Sequence, residues 1–265
     1  MTANLTKREP DPLDVLGFEI TDRRPDYIPE GDSTGAEGIT AQDIERPRLS
    51  IAQGLSPQMT PGDSAYVDGL GMFDFFNSAN GEVYGKGPLY FVVVKHEKRR
   101  IEFRPRAEGG GVVDMDVPLN DPRLNWTTGE DGKSIPPRAT TFSEFVVLLL
   151  RPGGKTEPIV LSIAHRNKFN SRAAMRLYGF IRMHATQGKA SVPIFDVVYS
   201  VTSKPEKNDK GTFGTPVIEQ VGFYNSPQLS ALAREMHEAL RDKAIVTSRE
   251  PGDDDFVPAT IEAEM

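Results

Sequence analysis

The sequence predicts a mainly β, α+β fold: an OB-like five-stranded barrel with an insertion, a helix between strands three and four, and a C-terminal helix. Runs rich in Val, Ile, Phe and Tyr are bounded by Gly, Pro, Asn and Asp, as is typical of strands. Only two segments have a clear helical period. The 24 Gly and 21 Pro among 265 residues indicate many turns.

The five strands of the predicted barrel are 88–95, 141–151, 157–164, 193–203 and 213–223. Residues 96–140 form the predicted insertion, which contains a further strand signal at 99–104. The turn residues of 208–211 (NDKG) predict a hairpin between the last two strands. Three strands, a helix and two strands is an order that favours an OB barrel.

The first predicted helix covers 170–185 and is amphipathic. Its apolar face contains Ala174, Leu177, Tyr178 and Ile181, whereas Arg172 and Arg176 point the other way. The second predicted helix covers 227–245, with Ser226 as N-cap and Pro227 at the first helical position. Its predicted buried stripe is Leu229, Leu232, Met236 and Leu240.

Charge is unevenly distributed along the chain, whose formal net charge is −7. Residues 1–45 hold 11 Asp/Glu against 4 Lys/Arg, and residues 246–265 hold 6 against 1. The middle is therefore basic, with 26 Lys/Arg against 21 Asp/Glu. We predict a flexible acidic N-terminal arm (1–45), a nucleic-acid-binding domain (46–245) and a flexible acidic C-terminal tail (246–265).

Several function classes are disfavoured by composition. The absence of Cys excludes disulfides, thiolate metal sites and a cysteine nucleophile. The four His lie in separate segments without metal-ligand spacing, and no catalytic motif is convincing. The longest apolar run, Phe145–Leu150, is too short to span a bilayer. We expect a cytoplasmic, non-enzymatic protein with no cofactor, no metal and no membrane contact.

Two clusters of basic residues are the sharper signal. The first interleaves cations with Phe103 and consists of Lys95, Lys98, Arg99, Arg100, Arg104 and Arg106. The second lies within 158–195, a stretch without Asp or Glu, and includes Arg166, Lys168, Arg172, Arg176, Arg182 and Lys189. Such cations neutralise phosphates and release counterions, so the clusters predict a nucleic-acid-binding groove.

Aromatic residues near these clusters are candidate platforms for stacking unpaired bases. They are Phe103, Trp126, Tyr84, Tyr199 and Phe213. The alternative for each is structural: Tyr199 and Phe213 would belong to the core, Trp126 would hold its own loop, and the arginines would be a solvated helix face.

The acidic C-terminal tail is consistent with the same interpretation. A tethered acidic segment has a high effective concentration at a basic groove of its own chain, so it can compete with nucleic acid. The motif Asp253, Asp254, Asp255 and Phe256 combines acids with one apolar anchor. We predict that it binds replication or recombination proteins once it is released. The alternative is that the tail is only a solubilising segment.

Several short motifs resemble a family of tailed-bacteriophage proteins described as single-stranded DNA-binding. They are 46–49 (RPRL), 53–57 (QGLSP), 75–78 (FFNS), 80–83 (NGEV), 193–202 (PIFDVVYSVT) and 208–212 (NDKGT). The resemblance covers roughly 46–225 and excludes both acidic segments. It implies an OB-like protein that coats template strands during phage replication and recombination in the host cytoplasm. The acidic tail is similar to that of replication single-strand binders in general.

The resulting hypothesis is a non-sequence-specific single-stranded DNA-binding protein, with its oligomeric state left open. A virion structural or assembly protein with extended arms is the alternative, because long arms and Gly- and Pro-rich strands also suit that role. A metal-dependent nuclease that uses Asp114 and Asp116 is a third and least favoured hypothesis.

Overall fold

The main structural feature is one strongly curled β sheet with two helices. The computed structural model describes residues 47–104, 108–130, 132–208, 211–242 and 245. The predicted acidic segments 1–45 and 246–265 lie outside the described residues.

The strands and helices are defined by the following bounds. The strands are β1 (Arg48–Ile51), β2 (Phe75–Asn77), β3 (Val83–Gly85), β4 (Leu89–Phe103), β5 (Val112–Asp114), β6 (Thr127–Thr128), β7 (Ser134–Ile135), β8 (Ala139–Leu150), β9 (Thr156–Ala164), β10 (Val197–Asn208) and β11 (Gly211–Phe223). The helices are α1 (Lys168–Ala185) and α2 (Pro227–Leu240). Among the helices of the described residues, none is both long and apolar enough to cross a membrane.

Nine strands form the main sheet, in the order β11-β10-β4-β8-β9-β1-β2-β3, with β5 also paired to β4. The pairing of β1 with β9 is parallel and the other pairings are antiparallel. Strands β6 and β7 form a separate two-stranded sheet within the insertion between β4 and β8. The hairpin predicted at 208–211 connects β10 to β11.

The predicted mainly β, α+β class is confirmed, as are a helix between the third and fourth predicted strands and a C-terminal helix. The five-stranded barrel is not confirmed, because those strands belong to a nine-stranded sheet. The signals at 88–95 and 99–104 belong to a single strand, β4. Strands β1, β2 and β3 were missed because they have only three or four residues each, too few to establish an alternating pattern.

Helix α1 covers the inner face of the sheet. Asn167 caps its N-terminus by accepting hydrogen bonds from the backbone N–H groups of Phe169 and Asn170. Its buried residues are Ala173, Ala174, Leu177, Ile181 and His184. The first four pack with inward-facing residues of β4, β8, β9 and β10, which include Phe91, Val93, Phe145, Leu161 and Tyr199. The amphipathic pattern predicted for this helix is confirmed.

Helix α2 packs on the outer face of the same sheet. Ser226 caps it as predicted, accepting a hydrogen bond from the Leu229 N–H at 3.2 Å. Leu229, Met236 and Leu240 pack against the outer core cluster, which includes Val92, Val94, Val146 and Leu148. The prediction for Leu232 is wrong, since it is exposed and Ala233 is the buried residue. The reason is geometric: at about 100° per residue, position 233 lies about 40° from the direction of Leu229, Met236 and Leu240, whereas position 232 lies about 60° away on the other side.

Strand β11 is an edge strand whose backbone is closely approached at Gly214. The Gln53 side chain accepts a hydrogen bond from the Gly214 N–H at 2.8 Å and donates one to its carbonyl at 3.1 Å. A Cβ at this position would lie 2.7 Å from Ile51 Cγ2 and 2.9 Å from Phe73 Cδ1. The absence of a side chain therefore lets the segment around β1 close against β11.

We expect Gly214→Ala to destabilise the protein by about 1–3 kcal/mol because the added methyl overpacks this contact. The matched control is Gly179→Ala, on the exposed face of α1, where a Cβ meets no atom within 4 Å. It should stabilise by about 0.5–1 kcal/mol through helix propensity. Urea denaturation of both variants measures the two effects, and equal shifts in the same direction would contradict the close approach at Gly214.

Candidate nucleic-acid interface

Strand alternation divides the first basic cluster between two faces of the sheet. Lys95 Nζ donates a hydrogen bond to the carbonyl of Leu240 at 2.8 Å, at the C-terminus of α2. Arg99 is 7% exposed, and its Nη1 donates to the carbonyl of Ile245 at 3.0 Å. Both cations therefore hold backbone carbonyls against the outer face. Arg99, one of the residues predicted to contact nucleic acid, therefore has its charge buried within the fold, and half-buried Lys95 is engaged in the same way.

The intervening residues of β4 point towards α1. Lys98 is exposed, and its Nζ lies 4.7 Å from the centroid of the Tyr178 ring. His96 contacts the edge of the same ring, with the centroids 5.3 Å apart. Arg100 is half-buried, and its Nε has no hydrogen-bond partner. Lys98 is therefore the residue of this part of the cluster that stays open to a ligand.

The end of β4 approaches the start of α1. Phe103 is half-buried and packs edge-on against Phe142, with the centroids 6.0 Å apart. The guanidinium carbon of Arg166 lies 5.7 Å from the centroid of the Phe103 ring. Arg104 is exposed, and Arg106 lies outside the described residues. Arg166 and Phe103 thus bring the two predicted clusters into contact.

Helix α1 presents a continuous basic face to solvent. Its exposed residues include Lys168, Arg172, Met175, Arg176, Gly179, Arg182 and Met183. Lys168, Arg172 and Arg176 follow at intervals of four and lie on successive turns, and from Lys168 to Arg182 the face extends about 21 Å. Helix α1 itself contains no Asp or Glu. The four cations of this face are Lys168, Arg172, Arg176 and Arg182. No acidic side chain of the described residues forms an ion pair with them, so their positive charge is uncompensated locally.

The aromatic candidates differ in access. Tyr199 is 0% exposed and packs between Phe91 and Phe180, at centroid distances of 5.8 and 6.3 Å. Burial raises the pKa of its hydroxyl to about 12. Tyr199, predicted to stack a base, is instead a core residue here, because β10 lies in the interior of the sheet and α1 covers its inner face.

Two other aromatic candidates are partly covered. Half-buried Phe213 packs against Phe169 of α1, with the centroids 6.2 Å apart. The ring of Tyr84 is covered by the guanidinium of Arg151 at 4.6 Å, and its hydroxyl donates to Glu157 Oε1 at 2.6 Å. Burial and this hydrogen bond raise the pKa of Tyr84. Both rings therefore already have partners within the fold.

Trp126 is 64% exposed on the insertion between β4 and β8. Three residues earlier, Arg123 anchors this insertion by ion pairs with Glu102 at 2.7 Å, Asp114 at 3.0 Å and Asp121 at 2.8 Å. Arg138 forms a second ion pair with Glu102 at 2.7 Å. Trp126 thus lies on an anchored loop.

Of the two carboxylates in the nuclease hypothesis, that of Asp114 has structural partners, whereas that of Asp116 is exposed. The Asp114 carboxylate accepts a hydrogen bond from the Asp116 backbone N–H. This bond and the hydrogen bond from Arg123 both lower the pKa of Asp114. Hydrogen bonds from the Arg123 side chain and backbone lower the pKa of Asp121 to about 2. Within the ranges that the structure describes, no three His, Asp or Glu side chains are placed to hold a metal ion.

One cluster beside α1 was missed by sequence reasoning. Ser143 Oγ lies 2.8 Å from His165 Nε2, and Lys98 is the direct cross-strand neighbour of Ser143. Burial lowers the pKa of His96 and of His165, and the nearby Lys98 ammonium lowers both further. The only local sign of this cluster in the sequence was that His96 and Lys98, two residues apart, share one face of β4. His165 carries no such sign, because the pairing of β8 with β4 and β9 brings it to this face.

The predicted partner-binding residues Asp253, Asp254, Asp255 and Phe256 lie outside the described residues, so the docking prediction stays a prediction.

The fold and this face define an α+β protein with a basic helix exposed on a curled sheet. The chain belongs to the Pam3 phage gp34-like protein family, whose model matches residues 19–246. The predicted bacteriophage origin is confirmed by this match, whereas single-stranded DNA binding stays a prediction. No curated protein and no solved structure matches the chain.

We expect Glu102→Ala to destabilise the protein by about 1–3 kcal/mol, because it removes charge-assisted hydrogen bonds from a carboxylate that is 3% exposed. Loss of the Arg123 anchor should also change the emission of Trp126, the single Trp of the chain. The control, Asp116→Ala, removes an exposed carboxylate and should change neither property. Unchanged Trp126 emission in Glu102→Ala would contradict the anchoring role of this carboxylate.

Proposed function

We propose that the protein binds single-stranded DNA without sequence specificity and without catalysis, and that it coats template strands during phage replication or recombination. The observation that carries the proposal is the basic face of α1. Four cations extend over about 21 Å of helix, in a stretch of chain, 158–195, that contains no Asp or Glu.

A surface of this kind attracts a polyanion regardless of its sequence. Each Lys or Arg that neutralises a phosphate releases a condensed counterion, which favours binding and makes it depend on salt. The exposed Met175 and Met183 side chains add polarizable apolar area between the cations. The face therefore suits a flexible strand whose phosphates and bases can both make contact.

Selectivity for a single strand requires contact with unpaired bases. Trp126 is the most exposed aromatic residue of the predicted set, and the Phe103–Arg166 pair offers a second partly open ring. Stacking on such rings contributes about 1–3 kcal/mol per base. We assign base stacking to Trp126 and Phe103 and phosphate binding to Lys98, Arg104, Arg166, Lys168, Arg172 and Arg176.

An OB-like organisation belongs to the same proposal. The strands β4, β8 and β9 form a meander, α1 follows, and β10 returns to pair with β4. The sheet has two edges, β11 and β3, and Gln53, which follows β1, bonds to Gly214 of β11. OB barrels are often partly open and commonly bind single strands.

The decisive experiment compares fluorescently labelled oligo-dT with duplex DNA by anisotropy at several salt concentrations. Neutralising three phosphate contacts by Lys168→Gln, Arg172→Gln and Arg176→Gln should weaken oligo-dT binding. It should also reduce the slope of log K against log salt by about 2, because each single-strand contact contributes about 0.7. Quenching of Trp126 emission on binding would support base stacking by the insertion.

The matched control removes three exposed cations elsewhere: Lys86→Gln, Lys155→Gln and Arg241→Gln. It changes the net charge by the same amount and should leave the slope nearly unchanged. If the unmodified protein does not bind oligo-dT at low salt, the proposal is overturned. If the two triple variants have equal effects, the assignment of binding to α1 is overturned.

We further propose that the acidic tail 246–265 competes with DNA for the basic face. Truncation after Ile245 retains the bonds of Ile245 with Glu97 and Arg99, so the folded part keeps these contacts. It should tighten oligo-dT binding by about tenfold at low salt, and much less at high salt, where charges are screened.

A tail of the same length with its six acids changed to Asn and Gln separates charge from length. It should reproduce the effect of truncation. Unchanged low-salt affinity for oligo-dT after truncation would show that the tail does not inhibit DNA binding. The same titration at increasing salt checks whether salt screens the attraction between the tail and the basic face.

A virion structural or assembly role is the second candidate. It is favoured by the edge strand β11, at whose end Val221 and Phe223 are 55% and 62% exposed. Apolar side chains on a sheet edge are suited to contact with a neighbouring subunit. Concentration-dependent assemblies in sedimentation velocity that ignore added oligo-dT would favour this role over DNA binding.

A further inference from the structure

Five polar or titratable side chains from four segments meet beside α1. We name them the imidazole cluster: His96 and Lys98 from β4, Ser143 from β8, His165 from the turn before α1, and Tyr178 from α1. His96 packs against the core residue Phe145 and His165 bonds to buried Ser143, and neither imidazole was among the residues predicted to bind DNA.

The positions of these residues follow from strand pairing. Lys98 lies directly opposite Ser143 in the ladder of β4 and β8, so their Cβ atoms are about 5 Å apart. His96 is two residues before Lys98 and therefore on the same face. The Ser143 hydroxyl bonds to His165, which brings the second imidazole to this face.

Tyr178 closes the cluster from the side of α1. Its ring centroid is 5.3 Å from that of His96 and 4.7 Å from Lys98 Nζ, and its hydroxyl donates to the Glu97 carbonyl at 3.4 Å. His96 and Lys98 are exposed, whereas His165 and Tyr178 are half-buried. A ligand arriving from solvent can thus reach His96 and Lys98 directly.

The cationic groups around the two imidazoles favour an anion at this place. The groups that lower the pKa of His96 besides burial are Lys98, His237 and Lys95, and the group that lowers the pKa of His165 is Lys98. Burial is the main cause that raises the pKa of the Tyr178 hydroxyl, and the nearby carboxylates of Glu144 and Glu97 raise it further. Burial is the larger cause that lowers both imidazole pKa values and the neighbouring cations add to it, so an added anion would offset the part that the cations contribute.

We propose that His96, Lys98 and His165 form a phosphate subsite at the edge of the basic α1 face, and that this subsite takes up protons when it binds a DNA backbone phosphate. The inference rests on the proposed function, which it deepens by assigning one contact. Each imidazole accepts one proton from solvent and then donates hydrogen bonds through protonated nitrogens.

The sign of the pH dependence follows from linkage. In the free protein both pKa values are lowered, so the imidazoles are neutral near neutral pH. A bound phosphate raises them, so the complex holds more protons than the free protein. Affinity should therefore increase as the pH falls from about 8 to about 5. A rise of one unit in the pKa of one imidazole corresponds to about tenfold in Kd.

The test is the affinity for labelled oligo-dT across this pH range at constant ionic strength, for the full chain. We expect His96→Gln with His165→Gln to lose most of the pH dependence while it retains binding through α1. The control His237→Gln lies on α2, and a Gln there can still donate to the Val94 carbonyl that the His237 ring contacts. Because His237 also lowers the pKa of His96, this variant should shift the pH dependence slightly towards higher pH but keep its size.

A second measurement needs no variant to fold. NMR titration of the imidazole C2 protons, with and without oligo-dT, should show two of the four His pKa values rising on binding. Binding that is independent of pH, or pKa values that do not move in the complex, would overturn the subsite while the proposed function stands. Absence of oligo-dT binding at every pH would instead overturn the proposed function.

Discussion

The alternation of side chains along β4 is the constraint on which the rest of the structure depends. This 15-residue strand pairs with β8 and β10, and its two faces are covered by different helices. A side chain that points outward meets α2 and Ile245, and one that points inward meets α1. The strand therefore decides which of its own charges become structural and which stay open to a ligand.

The consequence is clearest in the run Lys95–Arg100, which is uniformly polar as sequence. Lys95 and Arg99 satisfy carbonyl groups at the end of α2 and beyond it, where a buried acceptor without a partner would cost about 1–3 kcal/mol. Lys98 instead lies over Tyr178 at the surface. A basic cluster on a strand is thus split into two by geometry, whereas one on a helix face can remain continuous.

Helix α1 has this continuity and α2 does not. Both helices bury one face, but α2 carries Glu235 and Glu238 beside Arg234, so its exposed charges are mixed. Every charged side chain of α1 is basic. The two helices are similar in length and packing, and the difference in their charge pattern is what makes α1 the better candidate for a polyanion. Charge, rather than shape, distinguishes the two faces of the molecule.

The sequence by itself determined the features that depend on neighbours along the chain. Helix α1, its basic face, the Ser226 cap of α2 and the hairpin at 208–211 were predicted because capping, turn chemistry and a 3.6-residue period are local. Only the tertiary structure decided the burial of Tyr199 and Arg99, the course of the short strand β1 beside β9 and the contact of Ser143 with His165. These depend on which strands pair and which faces are covered, and residues far apart in the chain carry no local mark of a contact that only a shared sheet creates.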